Sequence, residues 1–334
     1  MQNNVVRIIT FLQILQKHTD EKNSLSRNQL IEMMEELGFS MNRKTLYEYI
    51  KQLKEVGYPI GVNQSKDYGY YLSSEPFSFA QAKLLVDAVQ TSKVLEKEMS
   101  TQLISNITSS MSKYEASALK RKLYMSEKVK TFNKNIYSMI DKIHEATQQK
   151  NKLSFRYFDI VLNHKNEIEK RYRHDGLEYV VSPYSLVWAD DNYYMVAHYP
   201  KHEGLTNFRV DRMDLVMVKK EKRTSLSEAT SQADFNIAKY SQRLFSMFKG
   251  EEIEIVLHAK EHLLNVIYDR FGNHATYKRN NDIIEIKVHV SVSAPFFGWV
   301  FQYGDGIQLI SPSKVVKEYK NHLHQVLSQY RKEE

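Results

Sequence analysis

The sequence predicts an α+β protein of several domains, helical at the start and strand-rich beyond its middle. Two patterns carry this. Apolar residues recur at helical spacing from Val5 to Leu53 and again from Ala82 to Ile143. From Leu153 the pattern becomes alternation, with Leu153, Phe155 and Tyr157 on one side of an extended segment and Ser154 and Arg156 on the other. At 334 residues, 42% hydrophobic and 26% charged, the chain has an ordinary globular composition and enough length for two or three cores. The segments are placed at 1–75, 76–135, 136–223 and 224–334.

Val6, Ile9, Phe11, Leu12 and Leu15 describe a first amphipathic helix. Ser26-Arg27-Asn28-Gln29 forms a capping box for a second, which turns Leu30, Ile31, Met34 and Leu37 inward and stops at Gly38. Asn42 caps a third helix from Arg43 to about Glu55, with Leu46, Ile50 and Leu53 inside. Arg43, Lys44, Tyr47, Lys51 and Lys54 face outward, as a recognition helix requires: cations meet phosphates, and Arg or Tyr near the helix start reaches base edges. Gly57-Tyr58-Pro59-Ile60 and Tyr68 to Leu72 then form a two-stranded wing with its tip at Asn63 to Asp67. The segment reads as a winged helix-turn-helix that contacts double-stranded DNA through Arg43, Lys44, Thr45, Tyr47, Lys51, Lys54 and Lys66. The plainer alternative is a small helical domain with a solvated charged face.

The net charge of +7 points to a polyanionic partner, but its distribution is uneven. Residues 1–75 hold 9 Lys/Arg against 9 Asp/Glu, residues 76–150 hold 12 against 7, residues 151–223 hold 13 against 11, and residues 224–334 hold 13 against 13. DNA affinity of the first segment must therefore come from local placement of charge. There is no cysteine, which excludes disulfides and thiolate zinc sites. No apolar run approaches ~18 residues and the start lacks a signal-peptide pattern, so a cytoplasmic location without membrane contact is expected.

Ser78 caps the first helix of a connector that carries Ala82, Leu84, Leu85, Ala88 and Val89 at helical spacing. Leu103, Ile104, Ile107 and Met111 mark a second helix, and Ala118, Leu119 and Leu123 a third. Lys120-Arg121-Lys122 reads as a solvated face. Ile136, Met139, Ile140 and Ile143 lead into the strand-rich part. Connectors of this type commonly supply dimer contacts, so a homodimer is expected.

Val180 to Trp188 and Tyr193 to Tyr199 read as two strands joined by the turn residues Asp190-Asp191-Asn192. Phe208 to Arg212 reads as a further strand, with Phe208, Val210 and Arg212 pointing one way and Arg209 and Asp211 the other. Arg209 is then the more exposed arginine, and Arg212 pairs with an acidic group or caps a sheet end. Stacking aromatics with interspersed guanidinium groups suit bases and phosphates. Candidates for such a patch are Arg156, Tyr157, Arg171, Tyr172, Arg173 and His174, with Ser182, Tyr184, Tyr193, Arg209 and Arg212. For any single strand tyrosine, core packing is the commoner role.

After a Ser/Thr/Ala-rich stretch from Thr224 to Ala233 the order reads β-α-β-β-α. Glu252 to His258 is a strand, Glu261 to Arg270 a helix, Asp282 to Val290 a strand after an Asn280-Asn281 turn, and Val315 to Tyr330 a final helix. Phe296 to Tyr303 is apolar and aromatic. His258-x-x-Glu261-His262 matches the inverted zinc-peptidase signature, which needs both histidines on one helical face. Here His258 closes a strand, so coincidence is the reading. No metal, no cofactor and no catalysis are expected.

Pro183-Tyr184-x-Leu186, Tyr193-Tyr194-Met195-Val196-Ala197 and Phe208-Arg209-x-Asp211-Arg212 together resemble the WYL domain of bacterial ligand-responsive transcription regulators. The naming triplet Trp-Tyr-Leu stands here as Tyr193-Tyr194-Met195. Asn42 to Leu53 followed by Gly57-Tyr58-Pro59-Ile60 is similar to the helix-turn-helix that precedes such domains, and Trp299, Gly304 and Ser311-Pro312 to their C-terminal extension. The resemblance implies an SH3-like or Sm-like β-fold that senses a nucleotide or short single-stranded nucleic acid, and an extension serving regulation or dimer contacts. The expected function is a DNA-binding transcription regulator responding to an anionic effector. Two alternatives stay open. One is a sensor whose neutral N-terminal part contacts protein; the other is a zinc hydrolase using His258, Glu261 and His262.

Overall fold

The computed structural model describes residues 4–63, 68–73, 77–121 and 135–330, and the chain divides into two units, Met1–Phe132 and Asn133–Glu334. The expected wing-tip residue Lys66, and Lys122 and Leu123 of the connector, lie outside the described residues.

The first unit begins with α1 (Asn4–His18), the short strand β1 (Leu25–Ser26), α2 (Arg27–Glu36) and α3 (Arg43–Glu55). Strands β2 (Ile60–Asn63) and β3 (Gly69–Leu72) follow, and β1-β3-β2 form an antiparallel sheet. The caps are those the sequence encodes. Ser26 Oγ accepts the Gln29 amide proton while Gln29 returns the bond to the Ser26 N–H, and Asn42 Oδ1 accepts from the Thr45 N–H at 2.9 Å. Gly38, with φ +82°, carries the chain out of α2 in the left-handed region. Leu30, Met34, Leu46, Ile50 and Leu53 are buried with Phe11, Leu15 and Tyr49. Val6 and Ile9, expected inside, are half exposed, because α1 turns Phe11, Ile14 and Leu15 to the core instead.

Helices α4 (Phe79–Thr91), α5 (Lys97–Ser109) and α6 (Lys113–Arg121) complete this unit. On α4 the buried stripe is Ala82 and Val86, while the expected Leu84 is 70% exposed. Buried Ser112, at the start of α6, donates to Asp20 Oδ2 at 2.6 Å, and Asp20 Oδ1 in turn accepts the amides of Lys22 and Asn23.

The second unit opens with α7 (Ile136–Gln148), whose Ile136, Met139, Ile143 and Ala146 are buried. It packs against a curled antiparallel sheet of β4 (Asn151–Leu162), β5 (Ile168–Tyr172), β6 (Tyr179–Ala189), β7 (Asn192–His198), β8 (Leu205–Arg209) and β9 (Met213–Lys222). The order is β5-β4-β6-β7-β8, and β9 closes back on β4. Long β4 makes the curl. Its first half pairs with β6 and β9 and its second half, Phe158 to Leu162, with β5. Phe155, Tyr157, Tyr179, Tyr199 and Phe208 fill the concave side, with Phe155 and Tyr179 stacked at 5.5 Å.

Two short helices, α8 (Leu226–Thr230) and α9 (Ile237–Arg243), lead to a four-stranded antiparallel sheet of order β11-β12-β10-β13. Its elements are β10 (Glu251–Lys260), α10 (Leu264–Phe271), β11 (Thr276–Asn280), β12 (Ile283–Val292), α11 (Ala294–Phe301), β13 (Ile307–Ser311) and α12 (Ser313–Tyr330). Ile255, Leu257 and Ala259 alternate inward on β10, as do Ile284, Ile286, Val288 and Val290 on β12. The apolar run Phe296 to Tyr303 is mostly helix, and β13 comes after it, so the order gains a helix and a strand over the expected one. Phe296, Phe297 and Val300 are buried against the sheet, while Phe301 is exposed.

Candidate functional site

Phe208 to Arg212 is not the single strand that alternation predicts. β8 ends at Arg209, and Val210–Arg212 forms a 3-10 turn. This break lets both arginines reach one carboxylate. Arg209 forms a bidentate pair with Asp211, Nε to Oδ1 at 3.0 Å and Nη2 to Oδ2 at 2.9 Å, while Arg212 Nε lies 3.6 Å from the same Oδ2. Asp211 is buried, so the arrangement supplies the charge compensation that a buried carboxylate requires. The guanidinium groups are not divided between the two sheet faces.

Arg209 lines an open depression of about 960 Å³. Its Nη2 donates to Asn192 Oδ1 at 2.8 Å, and its backbone N–H donates to the Tyr157 hydroxyl at 3.1 Å. β7 and β8 place Tyr194 directly opposite it. Burial pushes the Tyr157 phenol up to about 12, and the Asp211 carboxylate raises the Arg209 pKa further above its ordinary value. Arg173 adds a third wall: its guanidinium sits 5.2 Å from the Tyr157 ring centroid and pairs with Asp159 at 2.7 Å. That pairing holds Asp159 below the usual carboxylate range. Lys201 and His202 enter from the β7–β8 loop, and Phe248 and Lys249 from the segment before β10, with Phe248 60% exposed.

Of the residues proposed from sequence, the depression gathers Tyr157, Arg173 and Arg209. Arg212 and Arg171 do not line it, but both reinforce the field at Asp159. His174 is exposed, its ring centroid 5.7 Å from that of Tyr179. Arg156 is elsewhere: adjacent to Tyr157 on a strand, it takes the opposite face, in register with Asp214 and within the field of Glu178. There Tyr172 donates to Asp214 at 2.6 Å. Ser182 is buried and accepts the Thr224 N–H, and Tyr184 donates to the Thr224 carbonyl and packs in a separate core with Tyr240 and Leu244. Tyr193 packs edge-on against Trp188 at 4.6 Å. Asn192, Tyr194 and Lys249 were not foreseen. Asn192 and Tyr194 border the readable Asp190-Asp191 turn, but Lys249 arrives from about 40 residues downstream of Arg209 with no local signal.

On the first unit, Arg43, Lys44, Tyr47, Lys51 and Lys54 are exposed along α3, opposite its buried stripe. Thr45 is spent on the cap, its hydroxyl donating to Asn42 Oδ1 at 3.1 Å, and Lys51 lies 3.8 Å from Glu55. Arg43 sits 5.5 Å from the Tyr47 ring centroid, and the Arg43 and Arg27 guanidinium groups lower the Tyr47 phenol pKa. Arg27, Arg43, Tyr47, Tyr68 and Tyr70 line one open concavity of about 1070 Å³. Arg27 was missed because it counts in sequence only as the second residue of a capping box.

His258 and His262 do not share a helical face. His258 is on β10, 3.7 Å from Glu285, and His262 lies in the 3-10 turn Glu261–Leu263, where Glu261 pairs with Arg279. Among the described residues no three His, Asp or Glu side chains converge as metal ligands, and no helix is long and apolar enough to cross a membrane.

Residues 138–218 match the WYL domain. The match runs from α7 into β9 and so includes the whole strand framework of the depression. Among solved structures, the chain is similar to proteasome accessory factor B/C (PafBC) of Arthrobacter aurescens, with 16% identity, a TM-score of 0.29, and 97% of this chain and 49% of that chain covered. It thus spans about half the length of that structure. A CRISPR Cas-related protein is similar at 13% identity and a TM-score of 0.36, covering 99% of this chain and 86% of that chain. No curated protein matches the sequence.

Proposed function

We propose that this protein is a DNA-binding transcription regulator whose WYL domain senses an anionic effector, a nucleotide or short single-stranded nucleic acid. One observation carries the reading: within the WYL match, Arg209, Arg173 and Tyr157 line one cation-rich depression. Arg209 and Arg173, each oriented by a carboxylate, offer their remaining N–H groups to a phosphate, Lys201 and Lys249 in the same lining add cations, and the exposed Phe248 ring accepts a base. The three helices and small sheet of the first unit are read as a winged helix-turn-helix, with α3 entering the major groove and β2–β3 as the wing. The curled sheet is read as the SH3/Sm-like sensor, and the segment 224–334 as its extension. On this reading the protein works as a homodimer in the cytoplasm, needs no cofactor and is not an enzyme. The effector acts by binding more tightly to one placement of two DNA heads than to another.

The test is recovery of DNA bound by the purified protein from a pool of genomic fragments, followed by titration of the recovered site at several salt concentrations. A symmetric motif whose affinity falls steeply with salt is expected. Absence of any enriched motif, or a flat salt response, overturns DNA binding and favours the reading in which the charge-neutral head contacts protein.

A further inference from the structure

A second cavity, of about 550 Å³, shares no lining residue with the Arg209 depression and is lined by α9, α10, β12 and the 3-10 turn Gly272–His274. We propose that it binds a small phosphorylated polyol of the sugar-phosphate class, with Arg270 and Lys239 holding the phosphate. Arg270 is the reason. Its Nη2 donates to the Leu244 carbonyl at 2.7 Å and its guanidinium carbon lies 4.0 Å from the Phe245 ring centroid, so the group is held in place before any ligand arrives. Its Nε is buried and, among the described residues, has no hydrogen-bond partner. Burial lowers its pKa, Asp190 opposes that shift from beyond ion-pair range, and among the described residues no carboxylate forms an ion pair with it. A fixed, partly desolvated arginine without a counter-charge, in the wall of a cavity, is matched by an incoming oxyanion.

The other lining groups set the rest of the ligand. Lys239 is exposed on α9, and among the described residues its ammonium has no partner. Arg243 pairs with Glu252 and His289 lies 3.8 Å from Glu254, so of the lining lysines and arginines Arg270 and Lys239 are those that have no carboxylate partner among the described residues. Asp269 in the same lining repels a bare oxyanion but accepts hydroxyl protons, and the Gln242 and Asn273 amides add neutral donors and acceptors. A ligand that carries both a phosphate and hydroxyl groups satisfies all of these. The volume is in the range of small-molecule sites.

Isothermal titration of the full chain with ribose 5-phosphate, and with ribose as the unphosphorylated control, tests this. Saturable binding of ribose 5-phosphate is expected, weakened at least ~10-fold without the phosphate and in Arg270→Gln or Lys239→Gln. Lys239→Gln alters only an exposed side chain, so it serves if Arg270→Gln fails to fold. The proposal is overturned by no saturable binding up to about 10 mM, by equal binding of ribose, or by unchanged affinity in both folded variants. Loss confined to Arg209→Gln would place the ligand in the other depression and equally overturn it.

Discussion

At the scale of single residues, the site depends on groups that are satisfied twice over. The Tyr157 hydroxyl accepts the Arg209 N–H while its ring lies under the Arg173 guanidinium. Tyr157→Phe keeps the ring but strands a backbone donor, so a stability loss of about 1–3 kcal/mol is expected in urea denaturation. The same phenol carries a pH signature. Its folded pKa of about 12 lies above its ordinary 10.0. The unfolded chain therefore loses this proton first, and the stabilisation, on the order of 2 kcal/mol, is intact below about pH 10 and lost as pH rises toward 12. Tyr157→Phe should flatten that alkaline decline, and Tyr184, also pushed up to about 12, should leave part of it. Denaturation midpoints measured across this range check both. Arg209 was readable in sequence as a candidate effector contact. That Arg212 shares Asp211 with it was not, because alternation assigns Arg212 to the other face unless the strand ends, and residue pattern alone did not show that β8 stops at Arg209.

At the scale of elements, helix boundaries came directly from local chemistry. Ser26, Asn42 and Ser78 each cap the helix that their spacing announced. α3 also buries the stripe read from its period, which leaves its cations outward. Arg43→Ala should weaken binding to the recovered DNA site and reduce the salt slope by about 1 without moving the thermal midpoint, as read by titration and melting in parallel. Strand junctions were less readable. Gly250, just before β10, is required by a close approach that no local pattern signals: a Cβ there would stand 1.7 Å from the Val292 carbonyl oxygen. Gly250→Ala should cost about 1–3 kcal/mol in urea denaturation, since backbone and not a flexible side chain must move.

At the scale of the whole molecule, each unit buries its own apolar residues, Phe11, Leu30 and Leu46 in the first and Phe155, Leu257 and Phe296 in the second. Residues 133–334 expressed alone should therefore unfold in a cooperative transition by circular dichroism, and a gradual transition would show that this unit needs the first. What the sequence determined by itself was whatever depends on neighbours in the chain: helix caps, the buried stripe of α3, the Asp190-Asp191 turn, the alternation of β4 and β10, and the absence of thiol chemistry. Tertiary structure alone decided which basic and aromatic groups meet. Ser182 and Tyr184 went to structural hydrogen bonds, Arg156 to the opposite sheet face, and Lys249 and Phe248 joined Arg209 from a distant segment. The physical reason is that periodicity specifies which side of an element faces inward, whereas a site is assembled by strand endings and crossovers that bring distant segments together, and those follow from packing of the whole sheet.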